Sequence, residues 1–171
     1  DFFYKYQRFD DGDYKTSSSY PYFSNKSCYG RHSCYWGIVK LLKGLSFVPK
    51  DRRSENAKKL MKSCIEFILL HEVCYSSKNP EEFVNKIIKD LTFPNMYKAD
   101  FLEILWILKR EEIRSKKMEK ALRILESKMS NDGLWTMERS MRKMIIPFSK
   151  KKYGNALINE RAKDVYSYYL K

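Results

Sequence analysis

Apolar side chains recur along this chain mostly at steps of three and four residues, the period of an amphipathic helix rather than of a strand. The clearest stripe runs through Met118, Ala121, Leu122, Leu125 and Met129, and predicts a helix that stops before Asp132 and Gly133. Glycine supplies the backbone freedom needed to leave a helix, and an aspartate can satisfy orphan backbone groups at the stop. Trp135 follows at once, with a large ring to bury, most economically against the helix just completed.

The same pattern predicts a helix over 33–45, capped by Ser33, with Trp36, Val39 and either Leu42 or Lys43 on one face. A longer helix is predicted over 54–75, with Ala57, Leu60, Met61, Cys64, Ile65, Ile68 and Leu69 forming a wide apolar stripe. Asn79, Pro80, Glu81 and Glu82 combine a capping side chain, a first-turn proline and two carboxylates, and predict an inserted helix ending near Leu91. The segment 98–109 is apolar on nearly every side and should be buried between neighbours. A last helix is predicted over 155–170, burying Ile158, Ala162, Val165, Tyr166 and Tyr169. No strand alternation stands out, so the class is all-α. The chain reads as one domain: an irregular lead-in over 1–34, a helical pair with an inserted helix over 35–97, a second pair over 98–135, and a loop with a final helix over 136–171.

The stretch 120–135 resembles the repeat of the terpenoid cyclases and protein prenyltransferases. Lys120, Ala121, Leu125, Gly133 and Trp135 fall in register; Ile124 replaces the family's aromatic residue and Met129 its glutamine. Asp11, Gly12, Asp13 and Tyr14 parallel Asp132, Gly133, Leu134 and Trp135, and the segment 62–71 parallels 120–129 at an offset of 58 residues. The resemblance implies a partial α/α toroid of stacked helical hairpins, an incomplete barrel. His32, Ser33, Cys34 and Tyr35 are also similar to the His-Thr-x-Tyr segment of prenyltransferase β subunits, which implies a zinc ligand at His32 alone.

Local chemistry at that segment leaves three readings open. Cys28, His32 and Cys34 place two thiolates and an imidazole close in sequence, a set zinc accepts in tetrahedral geometry, with His71, Cys74 or a water in an open site as the fourth ligand. The cysteines can equally be small buried hydrophobes beside a loop-orienting histidine, or can pair as a disulfide. Tyr97 and Asp100, before an apolar helix, can line a pocket mouth; Asp100 is more simply an N-terminal charge. Tyr35, Trp36 and Trp135 are the remaining candidate ligand-binding positions, although tryptophans are core residues by default.

Composition changes this picture only in part. The net charge of +13 could serve a polyanion, and its densest cluster is Lys150, Lys151 and Lys152 after Arg139, Arg142 and Lys143. No apolar run approaches the roughly 20 residues of a membrane span. Four cysteines in so lysine-rich a chain point to a reducing compartment, the cytoplasm. The leading expectation is therefore a non-catalytic binding module for a partner protein or a small apolar ligand. The alternatives are a zinc-assisted transferase or cyclase-related enzyme, acting as an oligomer or within a longer chain, and a basic nucleic-acid adaptor.

Overall fold

Helices carry nearly all of the regular structure, as the periodicity predicts. The computed structural model describes residues 1–11, 20–21, 33–140 and 155–171. Among them are six α-helices: α1 (Phe2–Tyr6), α2 (Tyr35–Ser46), α3 (Glu55–Leu70), α4 (Phe101–Arg110), α5 (Glu119–Ser127) and α6 (Ala156–Tyr169). Two single 3-10 turns, Lys50–Arg52 and Lys116–Met118, precede α3 and α5. Strand pairing among the described residues is limited to isolated bridges, so the class is all-α. The chain divides into two compact units, Asp1–Ile68 and Leu69–Lys171.

In the first unit α2 buries Ile38, Val39, Leu42 and Ser46, and α3 buries Leu60, Met61, Cys64, Phe67 and Ile68. The expected stripe on α2 is thus rotated: Trp36 is only half-buried, and Ile38 takes the core position. Phe67 gathers the rings of Phe9 and Tyr35 at 6.2 and 6.3 Å. Asp10 and Ser33 are joined twice, by Asp10 N–H to Ser33 Oγ (3.0 Å) and Ser33 N–H to Asp10 O (3.2 Å). The lead-in is not wholly irregular, since α1 adds a five-residue helix that sequence periodicity does not reveal.

The second unit is built on α4, which packs against α5 and α6. Seven of its residues, Phe101, Leu102, Glu103, Ile104, Leu105, Ile107 and Leu108, are buried, as expected of a segment apolar all round. Trp135 closes the core. Its indole Nε1–H donates to Leu125 O at 2.7 Å, its ring lies 5.8 Å from Tyr166, and Met129 and Trp135 form a bridge pair. α5 ends at Ser127, before the expected Met129, and Gly133, with φ +70°, makes the turn beyond it that folds the tryptophan back onto the helix.

Two expectations are corrected. The helix expected over 54–75 ends at Leu70, because Glu72 and Val73 take left-handed φ of 43° and 73°. The helix expected from Asn79 to Leu91 does not form. Asn79 and Pro80 open a tight turn instead: Asn79 Oδ1 accepts Glu81 N–H at 3.3 Å, and Asn79 O accepts Glu82 N–H at 2.9 Å. The chain then runs back beside itself, with Ser76 N–H to Glu82 O (2.7 Å) and Val84 N–H to Cys74 O (3.0 Å). Tyr75 and Phe83 stack at 4.8 Å across this pairing. A capping side chain followed by proline serves a helix start and a turn equally well, and here the stacked rings decide for the turn.

Candidate functional site

Among the described residues a concave feature lies between α4 and α6 in the second unit. α6 begins with Asn155, whose side chain caps it by accepting Ile158 N–H at 3.1 Å. Its inner face buries Ile158, Asn159, Ala162 and Val165. Its opposite face carries Leu157, Glu160, Arg161 and Asp164 at i, i+3, i+4 and i+7, one helical stripe. These four side chains and Trp106 of α4 line a cleft of about 440 Å³.

Trp106 stands apart from the other residues of its helix. From Phe101 to Leu108 it alone is not fully buried. The guanidinium carbons of Arg110 and Arg161 lie 5.1 and 4.8 Å from its ring centroid, within cation–π range. Asp164 accepts from Lys109 Nζ at 2.7 Å, which holds one wall of the cleft. The lining thus offers an indole, an aliphatic side chain half-open to solvent, one guanidinium and two carboxylates.

At the start of α4, Asp100 forms a buried, multiply bonded polar centre. It is 2% exposed and accepts N–H bonds from Glu103 (2.8 Å), Thr92 (2.7 Å) and Asn95 Nδ2 (3.2 Å). It therefore caps α4 and ties the 92–95 loop to it. Burial pushes its carboxyl up to about 7, against the backbone N–H groups of Glu103 and Thr92, which pull it down. Asp100 is the charge at a helix start that the sequence suggested, here enclosed within the unit. Tyr97, three residues earlier, is half exposed.

The remaining sequence candidates are dispersed. Cys28 and His32 lie outside the described residues, as do Arg142, Lys143 and Lys150, Lys151 and Lys152. Cys34 precedes α2 in the first unit, while His71 follows α3 in the second, with Nδ1 3.1 Å from Tyr75 O. Among the described residues no group of three or more His, Cys, Asp or Glu is arranged to hold a metal ion. Cys64 and Cys74 are buried free thiols, each pushed up to about 12 by desolvation. Tyr35 turns its ring toward Phe67, and Trp135 is 1% exposed within the core. Arg139 is engaged with Asp90 at 2.7 Å.

The sequence assigned Trp106 to the core and so missed the cleft. The signal available was the second face of α6, where Leu157, Glu160, Arg161 and Asp164 share a helical stripe. Fold and cleft together define an all-α protein with a cleft of mixed aromatic and charged lining. No family model, no curated protein and no solved structure matches this chain. Among the described residues no helix is long and apolar enough to cross a membrane.

Proposed function

We propose that this chain is a non-catalytic helical binding module that engages a partner protein through the cleft around Trp106. One observation carries the reading: on a helix otherwise buried from Phe101 to Leu108, a tryptophan is left half-open and flanked by two arginines. Tryptophan and arginine in such pockets dominate the energetics of protein interfaces. Three of the five lining side chains are charged, which favours a polypeptide over a small apolar molecule. The left-handed turn at Gly133 and the return of Trp135 onto α5 support descent from the helical-hairpin repeat that the sequence resembles.

The test is selection of a random dodecapeptide display library on the full chain, in parallel with Trp106→Ala and Glu160→Lys chains of unchanged helicity. The expected result is a consensus with an apolar residue flanked by charge, enriched by the wild type and lost from both variants. Failure to enrich any consensus, or equal enrichment by the variants, overturns the reading.

A further inference from the structure

The turn that joins α2 to α3 in the first unit concentrates charge and exposes an aromatic ring. Between residues 43 and 59, six cations (Lys43, Lys50, Arg52, Arg53, Lys58 and Lys59) meet two carboxylates (Asp51 and Glu55), a local net charge of +4. That is roughly three times the mean charge density of a chain whose net charge is +13. Phe47, the residue just past the end of α2, is 56% exposed, and its neighbours Gly44, Pro49, Lys50 and Arg52 are exposed with it.

Internal bonds hold this turn in shape. Arg53 Nε donates to Val48 O at 2.8 Å, and an Arg53 terminal nitrogen donates to Ser46 O at 3.4 Å. One guanidinium thus satisfies carbonyls just beyond the end of α2 and fixes the path of the chain around Phe47. Lys58 is paired with Glu55 at 2.7 Å on α3. Lys43, Lys50 and Arg52 surround the ring on both sides in sequence, with Asp51 the one carboxylate among them.

We infer that this elbow docks the first unit onto an anionic lipid surface, with Phe47 entering the headgroup boundary and Lys43, Lys50 and Arg52 meeting lipid phosphates and carboxylates. A preformed turn with an outward apolar ring flanked by cations matches the interfacial requirement for shallow insertion plus charge attraction. A nucleic acid would call instead for a longer cationic track following successive phosphates, with rings placed for base stacking. The elbow offers one exposed ring in a short turn.

The experiment is sedimentation of the full chain with vesicles of phosphatidylcholine, with and without phosphatidylserine, at low and high salt. Binding to a labelled duplex and a labelled single strand is measured alongside. The expected result is salt-sensitive sedimentation only with phosphatidylserine, falling by about tenfold in Lys50→Glu/Arg52→Glu and by about threefold in Phe47→Ser. The sites are exposed, and circular dichroism checks that both variants keep their helicity. Absence of vesicle binding, undiminished binding by both variants, or oligonucleotide binding without vesicle binding each overturns the proposal.

Discussion

Asn159 of α6 grips the backbone of Trp135 from both sides. Its Oδ1 accepts Trp135 N–H and its Nδ2 donates to Trp135 O, each at 2.8 Å, in a buried setting. The carboxamide thereby acts as a one-residue strand partner, supplying the donor and acceptor that an extended backbone would otherwise lack in the core. Nδ2 also donates to Asn155 O at 3.1 Å, so the same side chain tightens the first turn of α6.

Asn159→Ala leaves the Trp135 N–H and C=O buried without partners, and should cost roughly 2–4 kcal/mol. The melting temperature should fall by roughly 5–12 °C. Asn159→Asp keeps the acceptor but not the donor and should be comparably destabilised at neutral pH. Thermal denaturation followed by circular dichroism checks this; a shift of Asn159→Ala within error of zero would show that the pair does not support the fold.

Glu112 is an invitation to stabilise the protein. It sits at φ 57° just past α4, with Ile113 N–H bonded to Leu108 O (3.0 Å) and Glu112 N–H to Lys109 O (2.9 Å). These are the two bonds of a Schellman end, whose left-handed position is usually glycine. Glu112→Gly should raise stability by about 0.5–1 kcal/mol by removing the side chain's penalty there. Urea unfolding is the measurement, and a lower midpoint in the variant contradicts this account.

Gly133 is the reverse case. Its φ is +70°, and a Cβ built on it meets nothing within 4 Å. Gly133→Ala should therefore cost only the backbone penalty, about 1 kcal/mol, without a steric clash. Gly133→Asn should cost less, since asparagine tolerates that region. If asparagine proves worse than alanine by several kcal/mol, crowding rather than conformation governs the turn.

Asp100 should make stability depend on pH. Its ordinary value of 3.8 is raised to about 7 in the fold, chiefly by burial. An acid with a raised folded value holds its proton more tightly when folded, so its contribution is fully present below 3.8 and is lost as pH rises through about 7. Unfolding free energy should drop by roughly 4 kcal/mol across that window. Asp100→Asn cannot titrate and should flatten the drop, while losing an acceptor for Thr92 N–H at every pH. Parallel pH profiles for the two proteins would rule this out.

The helices were legible wherever a stripe met a recognisable stop. The stripe through Ala121, Leu122 and Leu125, the left-handed turn at Gly133 and the return of Trp135 followed from residue types, whereas α5 ends at Ser127, earlier than Met129 suggested. The end of α3 was not legible, because Glu72 and Val73 adopt left-handed conformations that neither residue type announces. The 79–91 segment misled because Asn-Pro-Glu-Glu is locally ambiguous, and the Tyr75–Phe83 stack that settles it joins residues eight apart in a fold not yet known. Trp106 could not be separated from its apolar neighbours by periodicity, since α4 is hydrophobic on every side and only the packing of α6 leaves that ring at an edge.

The enclosure of Trp135 has an optical consequence. Its indole, 1% exposed and bonded to a carbonyl, should emit at short wavelength and resist quenching by iodide. Trp106, half-open beside two guanidiniums, should emit further to the red and be quenched readily. With the third indole removed by Trp36→Phe, collisional quenching can thus resolve a signal from the interior and a signal from the cleft within a single unlabelled chain.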